Sequence, residues 1–146
     1  MTRIIVKRTI HAPATHIFQA VSDIGNLPRT NPDIARVEFL SDTHTGVGTC
    51  FRETRVMKGR EHVTDLEITE YDPAGRVRMV ADSHGTVWDS LFTVEDAGER
   101  AELTLQMDCN AHRLLPRLLN PLFKGMIRKG LEKHLDAVKA YCETAP

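Results

Sequence analysis

The chain has 146 residues, 41% of them hydrophobic and 27% charged, and a formal net charge of −1. That length suits one core-bearing domain, read here as 1–146, and the near-neutral balance excludes a dedicated nucleic-acid binder, which carries a basic excess. No run reaches the ~20 apolar residues of a membrane span.

The start, Met1-Thr2-Arg3 followed by only Ile4-Ile5-Val6, is too short for the apolar region of a signal peptide. The three cysteines, Cys50, Cys109 and Cys142, are widely spaced and odd in number. They argue against a disulfide framework and for a reducing cytoplasm.

Thr2 to His11 is rich in β-branched residues and reads as a first strand. Pro13 then suits the first turn of a helix whose apolar face carries Ile17, Phe18 and Val21. The stretch from Asp23 to Pro32 is irregular, with Pro28 and Pro32 fixing its path and Ile24, Leu27 and Ile34 turned inward. It reads as the rim of a ligand cavity. "RVEFL", "GTCFRETRVM", "HVTDLEITEY", "RVRMVADS", "TVWDSLFTVE" and "RAELTLQMDC" follow as strands. The turns between them include Lys58-Gly59, Asp72-Pro73-Ala74-Gly75, Gly85 and Asp96-Ala97-Gly98. Connections this short join antiparallel neighbours, so a meander is expected. From Leu118 to about Glu143 the apolar spacing is helical, with Pro121 at a kink or at the true first turn.

The predicted fold is α+β: a curled antiparallel sheet of six to seven strands around one long terminal helix. Seven strands at ~4.8 Å span on the order of 29 Å, whereas a helix is only ~10 Å across. The sheet must therefore curl. With aromatics at 5% and glycine at positions 125 and 130 of the helix, the fillers are modest in size, so space is expected beneath it.

Several stretches together resemble the START-like (SRPBCC) superfamily, within it the polyketide cyclase/dehydrase and lipid-transport family. They are "IHAPATHIFQAVSDIGNLPRTNP", "GVGTCFRE", "GREHVTDLEITEYDPAGRV" and the long terminal helix. The resemblance implies a helix-grip fold of order β-α-α-β6-α. It also implies a pocket between sheet and helix for a small hydrophobic molecule: a lipid, a polyketide or an isoprenoid-like compound.

Strand parity names the candidate site. Phe51 and Met57 share a face with Glu53 and Arg55; Leu66 shares one with His62 and Thr64; Phe92 shares one with Trp88 and Ser90. In the last strand Leu103, Leu105 and Met107 face one way, and on the helix Phe123, Met126 and Ile127 face the sheet. Glu53 and His62 are the candidate acid/base pair for a cyclase or dehydrase, since a carboxyl or imidazole in a dry site can move a proton next to a carbonyl. The bland reading of Glu53 with Arg55 or His62 is a hydrogen-bonded pair near water. Seven scattered histidines without His-Glu-x-x-His or Cys-x-x-Cys give no metal site, and no cofactor is expected. Arg113, Arg117, Lys124 and Arg128, beside a run of leucines, read as a solvated helix face or as a peripheral contact with an anionic membrane. An exposed sheet edge leaves oligomerisation open.

Overall fold

The structure, a computed structural model, describes residues 1–144. Strand β1 (Thr2–Ile10) leads into helix α1 (Ala14–Ser22), a 3₁₀ turn (Ile24–Asn26) and the short helix α2 (Leu27–Thr30). Then come β2 (Ile34–Phe39), β3 (Cys50–Met57), β4 (Arg60–Asp72), β5 (Arg76–Ser83), β6 (Thr86–Asp96) and β7 (Ala101–Ala111). Helices α3 (Leu114–Leu119) and α4 (Lys124–Thr144) follow.

The sheet is antiparallel throughout, in the order β1-β7-β6-β5-β4-β3-β2. The expected meander runs from β2 to β7, and β1 pairs with β7, nine residues on each strand, from Thr2–Cys109 to Ile10–Ala101. Local chemistry sets the corners. Lys58-Gly59 and His84-Gly85 all have positive φ, the backbone of two-residue hairpin turns whose twist matches that of the strands. At Gly75 a Cβ would stand 2.7 Å from the Val94 carbonyl oxygen, so only glycine fits there.

The terminal helix differs from the sequence reading in one respect. The pattern predicts a helix from Leu118 with Pro121 at a kink or at the true first turn; in the structure α3 ends at Leu119 and α4 starts at Lys124, so the long helix begins six residues later than its apolar spacing. Pro121 lies in the break; it has no N–H to continue the helical ladder. A second difference concerns the glycines. Gly125 and Gly130 are exposed, and an added Cβ would meet nothing at either position. They face solvent and create no room against the sheet.

Polar stitches lay α4 along β1. The Arg128 guanidinium donates to the Ile5 carbonyl at 3.1 Å, Lys139 Nζ to the Thr9 carbonyl at 2.6 Å, and the His11 N–H to the Glu143 carboxylate at 2.8 Å. Arg8 Nε reaches Asp136 at 2.6 Å, with Glu132 at 3.6 Å. Helix and strand therefore run in the same direction. Strand alternation then gathers at one end of the molecule the start of α4, the two hairpin tips Lys58-Gly59 and His84-Gly85, and the end of β7.

The two ends are covered unequally. At the far end Ile10, Ile17, Val21, Ala101, Leu103, Leu135 and Val138 are buried in one continuous core. At the hairpin end the sheet opens. β4 pairs with β3 over Arg60–Glu67 but with β5 only from Glu67 onward, while Ala81–Ser83 of β5 pair with β6. β4 and β5 thus part company beyond the Glu67–Val80 pair.

Candidate functional site

Strand register identifies the inner wall. In β6 and β7 the pairs Trp88–Cys109, Ser90–Met107 and Phe92–Leu105 stand on the same face as buried Leu103 and Val94. In β3 and β4 the pairs are Phe51–Leu66, Glu53–Thr64 and Arg55–His62. Burial loosens toward the hairpins on the β3–β4 side of this face, whereas Cys109 stays buried opposite half-buried Trp88. Phe51, Phe92, Leu103 and Leu105 are buried; Leu66, Trp88, Ser90 and Met107 are half-buried; His62 is exposed. On the helical side Ile127 is half-buried, while Phe123 and Met126 are exposed. Strand parity and the inward-facing side chains that remain accessible to water point to a candidate cleft between the inner sheet and the start of α4. Its mouth lies at the hairpin end.

The sequence candidates divide along this axis. The structure brings Phe51, Leu66, Phe92, Leu103, Leu105, Met107 and Ile127 into or against the hydrophobic core, with Trp88 and Ser90 beside them on the inner face. The Trp88 indole N–H donates to the Ser83 carbonyl at 3.3 Å, which leaves the ring as an apolar wall. Phe123 and Met126 stand at the mouth and His62 on its rim, beside Met57 and Val63, which are also exposed.

Polar groups collect on the β3 side. Glu53 is buried with its carboxylate on Arg55, whose Nε donates at 2.9 Å. The Arg55 guanidinium is a third exposed, so the pair bridges the dry interior and the wet mouth. A third group completes the set, and sequence reasoning did not assign it. His134 of α4 is buried edge-on to Phe92, with ring centroids 5.7 Å apart. Burial, and secondarily the positive charge of Arg55, push its pKa down to about 4, with Asp33 opposing. It is neutral at pH 7. No group among the described residues hydrogen-bonds its Nε2. The clue lay in the sequence, where a histidine interrupts the stripe Leu131, Leu135, Val138.

The Asp23–Pro32 stretch is more ordered than a loop. It forms the 3₁₀ turn and α2, and buries Ile24, Leu27, Thr30 and Asn31; Ile34 follows, also buried. A salt bridge of 2.9 Å from Lys133 to Asp33 ties the segment's end to α4.

Two further recesses lie outside the cleft. One of about 280 Å³ is lined by His16, Gln19, Asp23, Arg29 and Tyr141. The other, about 290 Å³, sits where Met1, Asn110, Arg117 and Pro121 meet. Both are open and largely polar. Among the described residues no group of three His, Cys, Asp or Glu side chains is placed to hold a metal ion.

Residues 1–143 match the model of the family described as polyketide cyclase / dehydrase and lipid transport. The chain belongs to this family. Solved structures agree on the fold. A START superfamily protein from Mycobacterium smegmatis superposes with a TM-score of 0.80 at 19% identity, covering 99% of each chain. The ZhuI aromatase/cyclase from Streptomyces sp. R1128 gives 0.82 at 16% identity, covering 97% of this chain and 93% of its own. A Thermus thermophilus protein gives 0.77 at 18%, covering 95% of each. At these identities the likeness is one of architecture: the helix-grip fold of START-like proteins. No curated protein matches the sequence closely enough to count as a relative.

Proposed function

We propose that this family member binds a small apolar molecule carrying an oxygen function, a lipid, polyketide or isoprenoid-like compound, as a cytoplasmic carrier or sequestering protein. The observation that supports this reading most is the gradient along the inner face. Apolar side chains from β4, β6, β7 and α4 stay accessible to water on the side where a packed core would cover them. Burying that surface in a ligand is favourable by about 25 cal/mol per Å² of apolar area. The polar set fits the same occupant. Arg55 offers N–H donors, and the neutral His134 ring has one donor and one acceptor nitrogen, its Nε2 without a protein partner. A buried polar atom left unpaired costs about 1–3 kcal/mol, which a ligand oxygen would recover.

Native mass spectrometry of the protein purified from its own host tests the reading. A co-purifying lipid-like mass, released on denaturation and absent from a Met107→Glu variant, is the expected result. A protein that is persistently empty, and that takes up no apolar compound when one is supplied, overturns it.

Glu53 and His134 favour a second reading, in which the cleft is the active site of a cofactor-independent cyclase or dehydrase. A carboxylate and a neutral imidazole near one apolar cleft are suited to moving a proton next to a carbonyl. Turnover of a poly-β-ketone that disappears in Glu53→Gln and in His134→Phe, with folding intact, supports that reading. Unchanged turnover in both removes it. His62, exposed on the rim, would then serve as a control position.

A further inference from the structure

The segment from Cys109 to Leu131 is unlike the rest of the chain. It carries five cations, Arg113, Arg117, Lys124, Arg128 and Lys129, and no carboxylate, in a protein whose net charge is −1. Among the described residues none of the five forms an ion pair, although most of the other lysines and arginines do. The same segment exposes Leu114, Leu115, Leu118, Leu122, Phe123 and Met126, each between 45% and 77% accessible. Soluble surfaces tolerate single exposed apolar residues, but six large ones within thirteen consecutive residues form a patch that needs a partner.

The fold determines where this patch lies. The break at Pro121 sets the end of α3 beside the end of β7, at the same end of the molecule as the hairpin tips and the start of α4. The β3–β4 hairpin tip lies at the same end. It adds the exposed apolar side chains of Val56 and Met57 and two more cations, Lys58 and Arg60, that form no ion pair among the described residues. Apolar side chains flanked by cations complement one kind of surface in particular, an apolar layer covered by anionic headgroups. A second copy of the chain would bring the same cations against these, a like-charge contact that disfavours it.

We propose that α3, the start of α4 and the β3–β4 tip form a docking face for an anionic lipid bilayer. The face presents the mouth of the cleft to the membrane. Leucines and Phe123 enter the headgroup layer, and the cations meet lipid phosphates. The proposal does not depend on which ligand occupies the cleft, or on whether chemistry occurs there.

Co-sedimentation with vesicles tests it, using phosphatidylcholine alone and phosphatidylcholine mixed with phosphatidylglycerol. Binding is expected only to the mixed vesicles and is expected to weaken as salt screens the surface charge. Arg117→Glu with Lys124→Glu should lower partitioning at least about tenfold, and Leu118→Ser with Leu122→Ser by a comparable factor. All four side chains are exposed, so thermal melts should be unchanged and should confirm folding. Equal binding to both vesicle types, or binding to neither, overturns the proposal. So does a concentration-dependent dimer, seen by analytical ultracentrifugation, that the leucine substitutions abolish; that outcome would assign the face to a second copy.

Discussion

The two halves of α4 lie over the same sheet yet behave differently. From Leu131 onward its inner face is closed: Leu131, Leu135, Val138 and Cys142 are buried against α1 and β1, and side-chain bonds to β1 hold the helix down. Before Leu131 the helix carries Met126 into solvent, next to the exposed Phe123 that precedes it, at the end of the molecule where β4 and β5 separate. The comparison separates what holds the fold together from what the proposed binding role would use. Stability resides in the closed half. The open half keeps apolar surface available.

The largest expected effect is at the closed end. Leu135→Ala, at a fully buried position, should cost about 2–5 kcal/mol in urea unfolding, whereas Met126→Ala should stay within about 0.5. Similar losses at both would erase the distinction between the halves.

His134, at the junction, sharpens it through pH. Its folded pKa of about 4 lies below the ordinary value of 6.5, so the unfolded chain binds the proton more readily. Stability is therefore full above about pH 6.5 and falls as pH drops toward 4. The total loss is about 3 kcal/mol, of which about 2 is reached by pH 5. Arginine partners hold the carboxylates of Asp65, Glu70 and Asp108 below their ordinary values, so their contribution to the decline between pH 7 and 5 is minor. His134→Leu should flatten the decline between pH 7 and 5 in equilibrium unfolding. A slope identical to the parent's would place the titrating group elsewhere.

A smaller effect is expected at the mouth. Arg55→Ala leaves the buried Glu53 carboxylate without its partner and should cost about 1–3 kcal/mol, less than for a sealed pair because Arg55 is partly wet. Glu53→Gln leaves a neutral amide beside an arginine that water can still reach, and should cost under about 1 kcal/mol. Thermal melts of the two variants check this ordering; the reverse would mean that the arginine is the more isolated charge.

The sheet was legible because its signals are local. Period-two alternation in Ala101–Cys109, the turn at Asp72–Gly75 and the Lys58-Gly59 tip each act within a few residues, and each forms as read. The need for curvature followed from widths alone. What escaped depends on contacts distant in sequence. The face that Gly125 and Gly130 present follows from the arginine and lysine bonds that lay α4 on β1, residues more than a hundred positions away. The parting of β4 from β5 at Glu67 leaves no mark in either strand's composition. His134 was visible as a polar interruption on an apolar stripe, but only the fold sets Phe92 and Arg55 near it. Parity grouped Glu53 with Arg55 and His62 on one face, but the gradient from dry to wet along that face is tertiary.

Trp88 is the sole tryptophan and stands on the inner face of the open half, so its fluorescence reports directly on occupancy. The protein, first stripped of bound material, would be titrated with a bromine-labelled fatty acid and a bromine-labelled fused aromatic. Heavy-atom quenching of Trp88 that saturates at one equivalent for either compound, and that Met107→Glu abolishes, is the predicted result. Emission that stays constant, or falls without saturating, in a folded and ligand-free protein would contradict the account.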